Sequence, residues 1–130
     1  MKISILLPYK ENFSPTYAGA VSLFINDTLR ISKYKKNTTV FGNTEYRNKF
    51  KLKYINIPLH KIIFQSQNKK YVEEFVKLEK KRNSDLIELH NRPIYLTYLT
   101  NKLKNKTYIL YFHNDPLTMS GSNSISERIF

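Results

Sequence analysis

The chain has 130 residues and no cysteine, carries a formal net charge of +12 at pH 7, and is 41% hydrophobic and 14% aromatic. This length is typical of one domain with a substantial buried core. The hydrophobic content argues against disorder, and the lack of cysteine excludes disulfide frameworks and thiolate metal sites. The first apolar run, residues 3–7, ends at Pro8 and is shorter than a secretory signal or a membrane span requires.

The hydrophobic pattern predicts alternating strands and helices. The predicted strands are Lys2–Leu7, Thr38–Phe41, Lys51–Ile57, Asp85–Leu89 and Thr107–Phe112. The predicted helices are Tyr17–Ser32, 68–82 and Pro93–Leu103. Residues 113–122 are predicted as a loop, and Ser124–Phe130 as the opening of a helix without a stop signal, which suggests a C-terminal truncation. This order predicts an α/β fold with a doubly wound, mostly parallel, Rossmann-like sheet and helices on both faces.

Helical spacing also predicts which side of the first helix is buried. The apolar and small side chains that recur at this spacing are Val21, Phe24, Ile25, Thr28 and Leu29. In the second helix the corresponding inward residues are Val72, Phe75 and Val76.

Lysine is distributed along the whole chain instead of forming one run. A basic balance attracts polyanions such as nucleic acid, anionic lipid and phosphorylated ligands. The chain is also rich in asparagine and isoleucine, a combination typical of codon bias in low-GC genomes. We therefore interpret most of the positive charge as solvated surface, not as one binding footprint.

The tetrapeptide His-Asn-x-Pro follows two of the predicted strands, at residues 90–93 and 113–116. Ligands of open α/β folds bind at the carboxyl ends of the strands, so we expect His90 and His113 to lie in one cleft there. A neutral imidazole can hydrogen-bond a sugar hydroxyl or act as a base near pH 7. The alternative is structural: each histidine is satisfied by backbone groups, Asn91 and Asn114 are caps, and the prolines end the strands.

Other candidate site residues lie at the start of the first helix and next to the two histidines. Ala18, Gly19 and Ala20 are small residues at the start of the first helix, where a phosphate could approach backbone N–H groups. The alternative is that they only let the helix pack close to the sheet. Glu88 and Asp115 could join a site, although Glu88 is expected to belong mainly to its strand. The three histidines lack the spacing of metal ligands, so no metal site is predicted.

The order of these landmarks resembles the N-terminal domain of family-four (group 1) glycosyltransferases, which have the GT-B architecture. The residues that carry the resemblance are the strand 2–7 with Pro8, the loop Ala18-Gly19-Ala20, the strand 85–89 with His90, and Tyr111-Phe112-His113-Asn114. The resemblance covers nearly the whole chain. The family usually has glycine where Ala18 stands.

The resemblance implies that residues 1–130 are the acceptor-side domain of a retaining glycosyltransferase, without its C-terminal donor domain, and are inactive alone. It places Ala18, Gly19 and Ala20 at the loop near the donor phosphate, and His113 near the transferred sugar as the catalytic residue. The acceptor or sugar would be bound by His90, Asn91, Arg92, Asn114 and Asp115. The substrates would be a nucleotide-sugar and a glycan or lipid-linked acceptor, in glycan or lipopolysaccharide assembly, with no metal or other cofactor.

The corresponding location is the cytoplasm, with possible peripheral contact at the inner face of an anionic membrane, and no nucleic-acid partner is expected. The alternative hypothesis is a small basic module that binds nucleic acid or an anionic membrane surface. A module that binds nucleic acid needs aromatic residues interleaved with cations on one surface. Tyr34 among Lys33, Lys35 and Lys36 is a weak instance of that pattern.

Overall fold

The computed structural model describes residues 1–60 and 65–115. Within these residues the chain forms five strands and three α-helices, in the predicted order. They are β1 (Ile3–Leu6), α1 (Ala20–Leu29), β2 (Thr38–Gly42), β3 (Tyr54–Asn56), α2 (Gln67–Arg82), β4 (Leu86–His90), α3 (Pro93–Lys102) and β5 (Thr107–Tyr111). A 3-10 turn at Lys35–Asn37 precedes β2. The predicted helix at Ser124–Phe130, Pro116 and most of the predicted loop 113–122 lie outside the described residues.

All five strands are parallel, in the order β3-β2-β1-β4-β5. The central strand β1 pairs on one side with β2 and on the other with β4, so that Ile5 lies between Val40 and Glu88. Because the strands run the same way, all of them end at one edge of the sheet, here called the carboxyl edge. All of them begin at the opposite edge, here called the amino edge.

Two hydrophobic clusters hold the helices against the sheet. Leu6 of β1 belongs to a cluster that includes Phe75 of α2 and Tyr95 of α3. Its neighbour Ile5 belongs to a second cluster, with Ile25 of α1. Successive side chains of a strand point to opposite faces. Consequently α1 packs on one face of the sheet, and α2 and α3 pack on the other.

Two predicted boundaries were too wide. The first helix begins at Ala20 and not at Tyr17, because Tyr17 has a positive φ of 53°, a conformation that cannot enter a right-handed helix. The third strand is limited to Tyr54–Asn56 because the backbone turns just before it, where Leu52 donates its N–H to the carbonyl of Phe50.

The predicted buried face of α1 was wrong at two positions. Phe24 and Thr28 are exposed, whereas Ser22 is fully buried. Helix α1 packs over β1 and β2, and Phe24 therefore extends sideways toward the ends of β4 and β5. The prediction for α2 is confirmed at Val72, Phe75 and Val76, which are all buried.

A buried carboxylate ties the amino edge together. Glu79 of α2 is fully buried and accepts hydrogen bonds from the Ser84 N–H at 2.9 Å and the Ser84 hydroxyl at 2.6 Å. The ammonium group of Lys106 lies 3.9 Å from the same carboxylate. These contacts fix the start of β4 and β5 against the end of α2.

None of the described helices is long and apolar enough to cross a membrane.

Candidate functional site

The two histidines of the repeated tetrapeptide are in direct contact at the carboxyl edge. His90 is the last residue of β4, and His113 follows the neighbouring strand β5. Nδ1 of His90 lies 2.8 Å from Nε2 of His113. The expectation that the two imidazoles meet at this edge is confirmed. However, His90 is fully buried, so only His113, which is partly exposed, can contact a ligand.

Glu88 extends this pair into a chain of three groups, here called the relay. Glu88 and His90 are two residues apart on β4, and so their side chains point to the same face. Oε2 of Glu88 lies 2.7 Å from Nε2 of His90. The sequence assigned Glu88 mainly to its strand. The i, i+2 spacing was the signal that also joined it to His90.

The relay fixes where the protons sit. An ionised carboxylate can only accept, so Nε2 of His90 carries a hydrogen. With His90 neutral, its Nδ1 is an acceptor, and Nε2–H of His113 donates to it. The remaining nitrogen of His113, Nδ1, then carries a lone pair. No hydrogen bond to Nδ1 of His113 is found among residues 1–60 and 65–115.

Burial and the neighbouring His90 lower the pKa of His113, while the charges of Glu11 and Glu88 partly oppose that shift. A lowered pKa keeps the imidazole neutral at pH 7. His113 can therefore accept a hydrogen bond or a proton through Nδ1 under ordinary conditions.

Asn91 and Arg92 build the turn that presents His113. Asn91 is buried and has a positive φ of 54°, which asparagine tolerates better than most residues. Its Oδ1 accepts the His113 N–H at 2.7 Å, and its own N–H donates to the Tyr111 carbonyl at 2.9 Å. Nη1 of Arg92 donates to the Asn91 carbonyl at 2.9 Å. These two predicted acceptor-binding residues thus have an evident positioning role.

Asn114 and Asp115 are exposed beside His113 at the end of the described segment. Their position is compatible with ligand contact.

Aromatic side chains that were not among the predicted site residues surround the histidines. The rings of His90 and Tyr111 are nearly parallel, with centroids 5.1 Å apart and an interplanar angle of 6°. Phe24 of α1 meets His113 edge-on at 5.0 Å. Phe24 is 37% exposed and Tyr111 is 40% exposed. The rings of Phe24 and Tyr111 thus offer a partly exposed apolar surface beside the His113 ring.

The small-residue loop is occupied by a side chain of the protein itself. Gly19 is the N-cap of α1, and it has no side chain that could accept a hydrogen bond from the first N–H groups of the helix. Instead, Oε2 of Glu11 accepts the Ser22 N–H at 3.1 Å. A Cβ on Gly19 would lie 1.9 Å from that oxygen, so only glycine allows this approach. The position predicted for a donor phosphate therefore already holds a carboxylate beside Ala18, Gly19 and Ala20.

The hydroxyl of Ser22 is also notable. It is buried and has no hydrogen-bond partner within the described parts of the chain. A buried hydroxyl without a partner is uncommon and calls for a physical explanation. It lies in the first turn of α1, where the backbone N–H groups and the helix dipole favour negative charge.

A cleft of about 310 Å³ opens at the carboxyl ends of β1 and β2, on the same edge of the sheet as the histidines. Its lining comes from the two loops that follow these strands: Tyr9, Lys10, Asn12, Asn43, Thr44, Glu45 and Tyr46. Lys10 has a positive φ of 70°, which is costly for a residue with a long side chain. Strained residues of this kind concentrate at functional sites. This cleft was not predicted from the sequence, because its lining residues form no recognisable motif.

No group of histidine, cysteine, aspartate and glutamate side chains that could hold a metal occurs in the part of the chain described by the structure. The chain matches no protein-family model, no curated protein and no solved structure.

Proposed function

We propose that this chain is the acceptor-side half of a retaining glycosyltransferase with the GT-B architecture. On this proposal the sheet is the doubly wound, Rossmann-like N-terminal domain, and a second α/β half supplies most of the nucleotide-sugar site. The complete enzyme transfers a sugar from a nucleotide-sugar to a glycan or lipid-linked acceptor in the cytoplasm. Residues 1–130 alone are inactive.

The observation that supports this proposal most directly is the relay at the carboxyl edge. A neutral, partly exposed imidazole is held there by a buried histidine and a carboxylate. Parallel α/β sheets bind ligands at this edge. The relay lies next to exposed aromatic rings, and a cleft with polar walls opens at the same edge of the sheet. Together these features supply the flat apolar and hydrogen-bonding groups that bind a sugar.

His113 has the catalytic role in this proposal. Its Nδ1 accepts a hydrogen bond from a hydroxyl of the transferred sugar and thereby orients the sugar for transfer. His90 and Glu88 do not contact the sugar. They hold the proton on Nε2 of His113, so that the lone pair faces outward.

The first turn of α1 receives the donor phosphate. Its backbone N–H groups favour an anion, and the unpartnered Ser22 hydroxyl can donate to one. The Glu11 carboxylate must leave this position before a phosphate enters, since two anions in contact repel each other. Glu11 therefore competes with the donor for the same backbone groups.

The decisive experiment uses the full-length protein. Release of nucleoside diphosphate from UDP-glucose, UDP-N-acetylglucosamine and GDP-mannose is measured with glycan acceptors for the wild type and for His113→Ala. We expect His113→Ala to lower turnover by on the order of 10²-fold, because a positioned polar group acts in the transition state. His60→Ala is the matched control, since His60 is exposed and lies outside the relay.

Thermal unfolding of the same variants separates catalysis from folding. An active but less stable His113→Ala protein would leave only a structural role for the imidazole. Turnover that falls equally in His60→Ala would also contradict the proposal.

A further inference from the structure

Many of the lysines that are scattered along the sequence lie together at the amino edge of the sheet. Each helix runs back from the carboxyl edge to the amino edge, so its last turn lies where the next strand begins. The exposed cations of these turns and loops are Arg30, Lys33, Lys35, Lys36, Lys51, Lys53, Lys80, Lys81, Lys102 and Lys104. We call this set the basic edge.

Contacts between distant segments place these residues together. Nζ of Lys2 donates to the carbonyl of Arg82 at 3.1 Å, and Nη2 of Arg82 donates to the carbonyl of Asn37 at 3.3 Å. The ammonium group of Lys53 contacts the carbonyl of Lys36. The starts of β1, β2 and β3 and the end of α2 therefore lie side by side. Among the described residues, the exposed acidic side chains near this edge are Asp85, before β4, and Asp27, in the last turn of α1, so the cations are in clear excess.

Helix dipoles explain only part of this charge. Lys80, Lys81 and Arg82 occupy the last turn of α2, where cations are favoured. Lys33, Lys51 and Lys53 lie outside the helices, and α1 has no basic residue in its last turn. Among the lysines around the starts of β2 and β3, Lys53 contacts the Lys36 carbonyl, but this one contact does not account for the whole group, and like charges so close together repel one another. A ligand of opposite charge would relieve that repulsion.

We propose that the basic edge docks on an anionic phospholipid bilayer. Two features favour lipid over nucleic acid. Ile31, among these cations, is 82% exposed, and Tyr34 beside it is 39% exposed under the ammonium of Lys33. An aliphatic side chain flanked by lysines and a tyrosine is suited to the headgroup boundary of a bilayer. Nucleic-acid recognition favours arginine and rows of stacking aromatics, whereas this edge is mainly lysine.

This orientation points the candidate site away from the lipid. β4 and β5 are each five residues long. At roughly 3.3 Å per residue, the two edges are separated by about 15 Å. A docked molecule would receive its ligands from the aqueous side. The docking surface is independent of the proposed glycosyl transfer and is tested without any sugar.

The test is binding to large unilamellar vesicles, measured by co-sedimentation at low and at physiological salt. The vesicles are phosphatidylcholine alone or phosphatidylcholine with about one-third phosphatidylglycerol. We expect binding only to the anionic vesicles, weakening as salt rises. The basic-edge variant Lys33→Gln/Lys35→Gln/Lys36→Gln/Lys51→Gln should lose affinity by on the order of 10²-fold.

A control variant loses the same charge elsewhere: Lys10→Gln/Arg47→Gln/Lys69→Gln/Lys70→Gln. Its affinity for the anionic vesicles should stay within about threefold of that of the wild type, because the replaced cations lie away from the basic edge. Ile31→Gln should weaken vesicle binding at constant charge. Equal losses in the two quadruple variants would overturn the proposal. So would a lack of vesicle binding together with basic-edge-dependent binding of a 20-nucleotide single-stranded RNA.

Discussion

The two edges of this sheet use charged side chains in opposite ways. At the carboxyl edge, Glu88 contacts the imidazole of His90, and Glu11 contacts the first turn of α1. At the amino edge, Glu79 is fully buried and holds a strand start to a helix end. The same residue type thus orients an imidazole at one edge and stabilises the fold at the other.

Backbone geometry follows the same division. Lys10, Tyr17 and Asn91 have positive φ angles, and all three lie in loops after β1 or β4 at the carboxyl edge. At the amino edge, the two positive-φ residues are Asn83 and Asn105, both of a type that adopts this conformation readily. The two positive-φ residues that are not asparagine, Lys10 and Tyr17, both lie at the carboxyl edge, so the costly backbone conformations are found where ligands are expected.

The sharpest test of this contrast removes one carboxylate from the amino edge. Glu79→Ala leaves the ammonium of Lys106 nearly buried without its counter-charge and removes both acceptors of Ser84. We expect the free energy of unfolding to fall by about 3 kcal/mol, the usual result when one partner of a buried pair is lost. Urea denaturation of the chain measures it.

Glu74→Gln is the matched control, because Glu74 pairs on the surface with Lys70 and Lys77. It should change stability by less than about 0.5 kcal/mol. A Glu79→Ala protein as stable as this control would show that the amino edge does not depend on its buried carboxylate.

The next test concerns Glu11 and its contact with α1. Gly19→Ala places a methyl group where Oε2 of Glu11 lies, so the carboxylate must shift. The backbone N–H of Ser22 then loses its hydrogen-bond acceptor. We expect a loss of about 1 kcal/mol in stability, the typical value of a helix N-cap. Thermal unfolding checks this value.

The double variant Glu11→Ala/Gly19→Ala sharpens the interpretation. Once the carboxylate is gone, the added methyl group has nothing to displace, so the double variant should be no less stable than Glu11→Ala alone. Additive losses would mean that Gly19 is required for a reason other than Glu11.

The smallest expected effect is the titration of His113. Its pKa is lowered by burial and by His90, so its NMR titration midpoint should lie below 6.5. The folded state prefers the neutral imidazole. This contribution to stability is therefore present above pH 6.5 and is lost as the pH falls through the folded-state pKa. Glu88→Gln should lower the midpoint further, because the Glu88 carboxylate raises it. A midpoint above 6.5 would contradict the arrangement of the relay.

Glu88→Gln also tests the proton positions. A glutamine amide can donate to Nε2 of His90, which would move the His90 hydrogen to Nδ1 and that of His113 to its own Nδ1. Imidazole nitrogen chemical shifts report this change directly.

The sequence predicted the order of the elements and the meeting of the two histidines, because both depend on local patterns. The hydrophobic runs and the repeated tetrapeptide are visible in consecutive residues. The order of strands in the sheet was not predictable, since it depends on pairing between segments far apart. β1 pairs with β4, and the Lys2 N–H reaches Asp85 across 83 residues.

The site was predicted less completely for a related reason. Phe24 has a helical spacing that predicts burial, but α1 packs over β1 and β2 and leaves this ring beside His113. Glu11 has no sequence feature that links it to Gly19, because the contact depends on how the loop after β1 folds back. The basic edge is invisible in the sequence, since its members come from the ends and starts of several elements.

The pairing of β1 with β4 has a consequence for how this protein is made. The central strand is synthesised first, yet one of its two neighbours emerges only about 80 residues later. At translation rates of about 5–20 residues per second, one side of the apolar strand Ile3–Leu6 stays unpaired for roughly 4–16 seconds. During that interval the nascent chain exposes an open strand edge, which is a template for pairing with other chains.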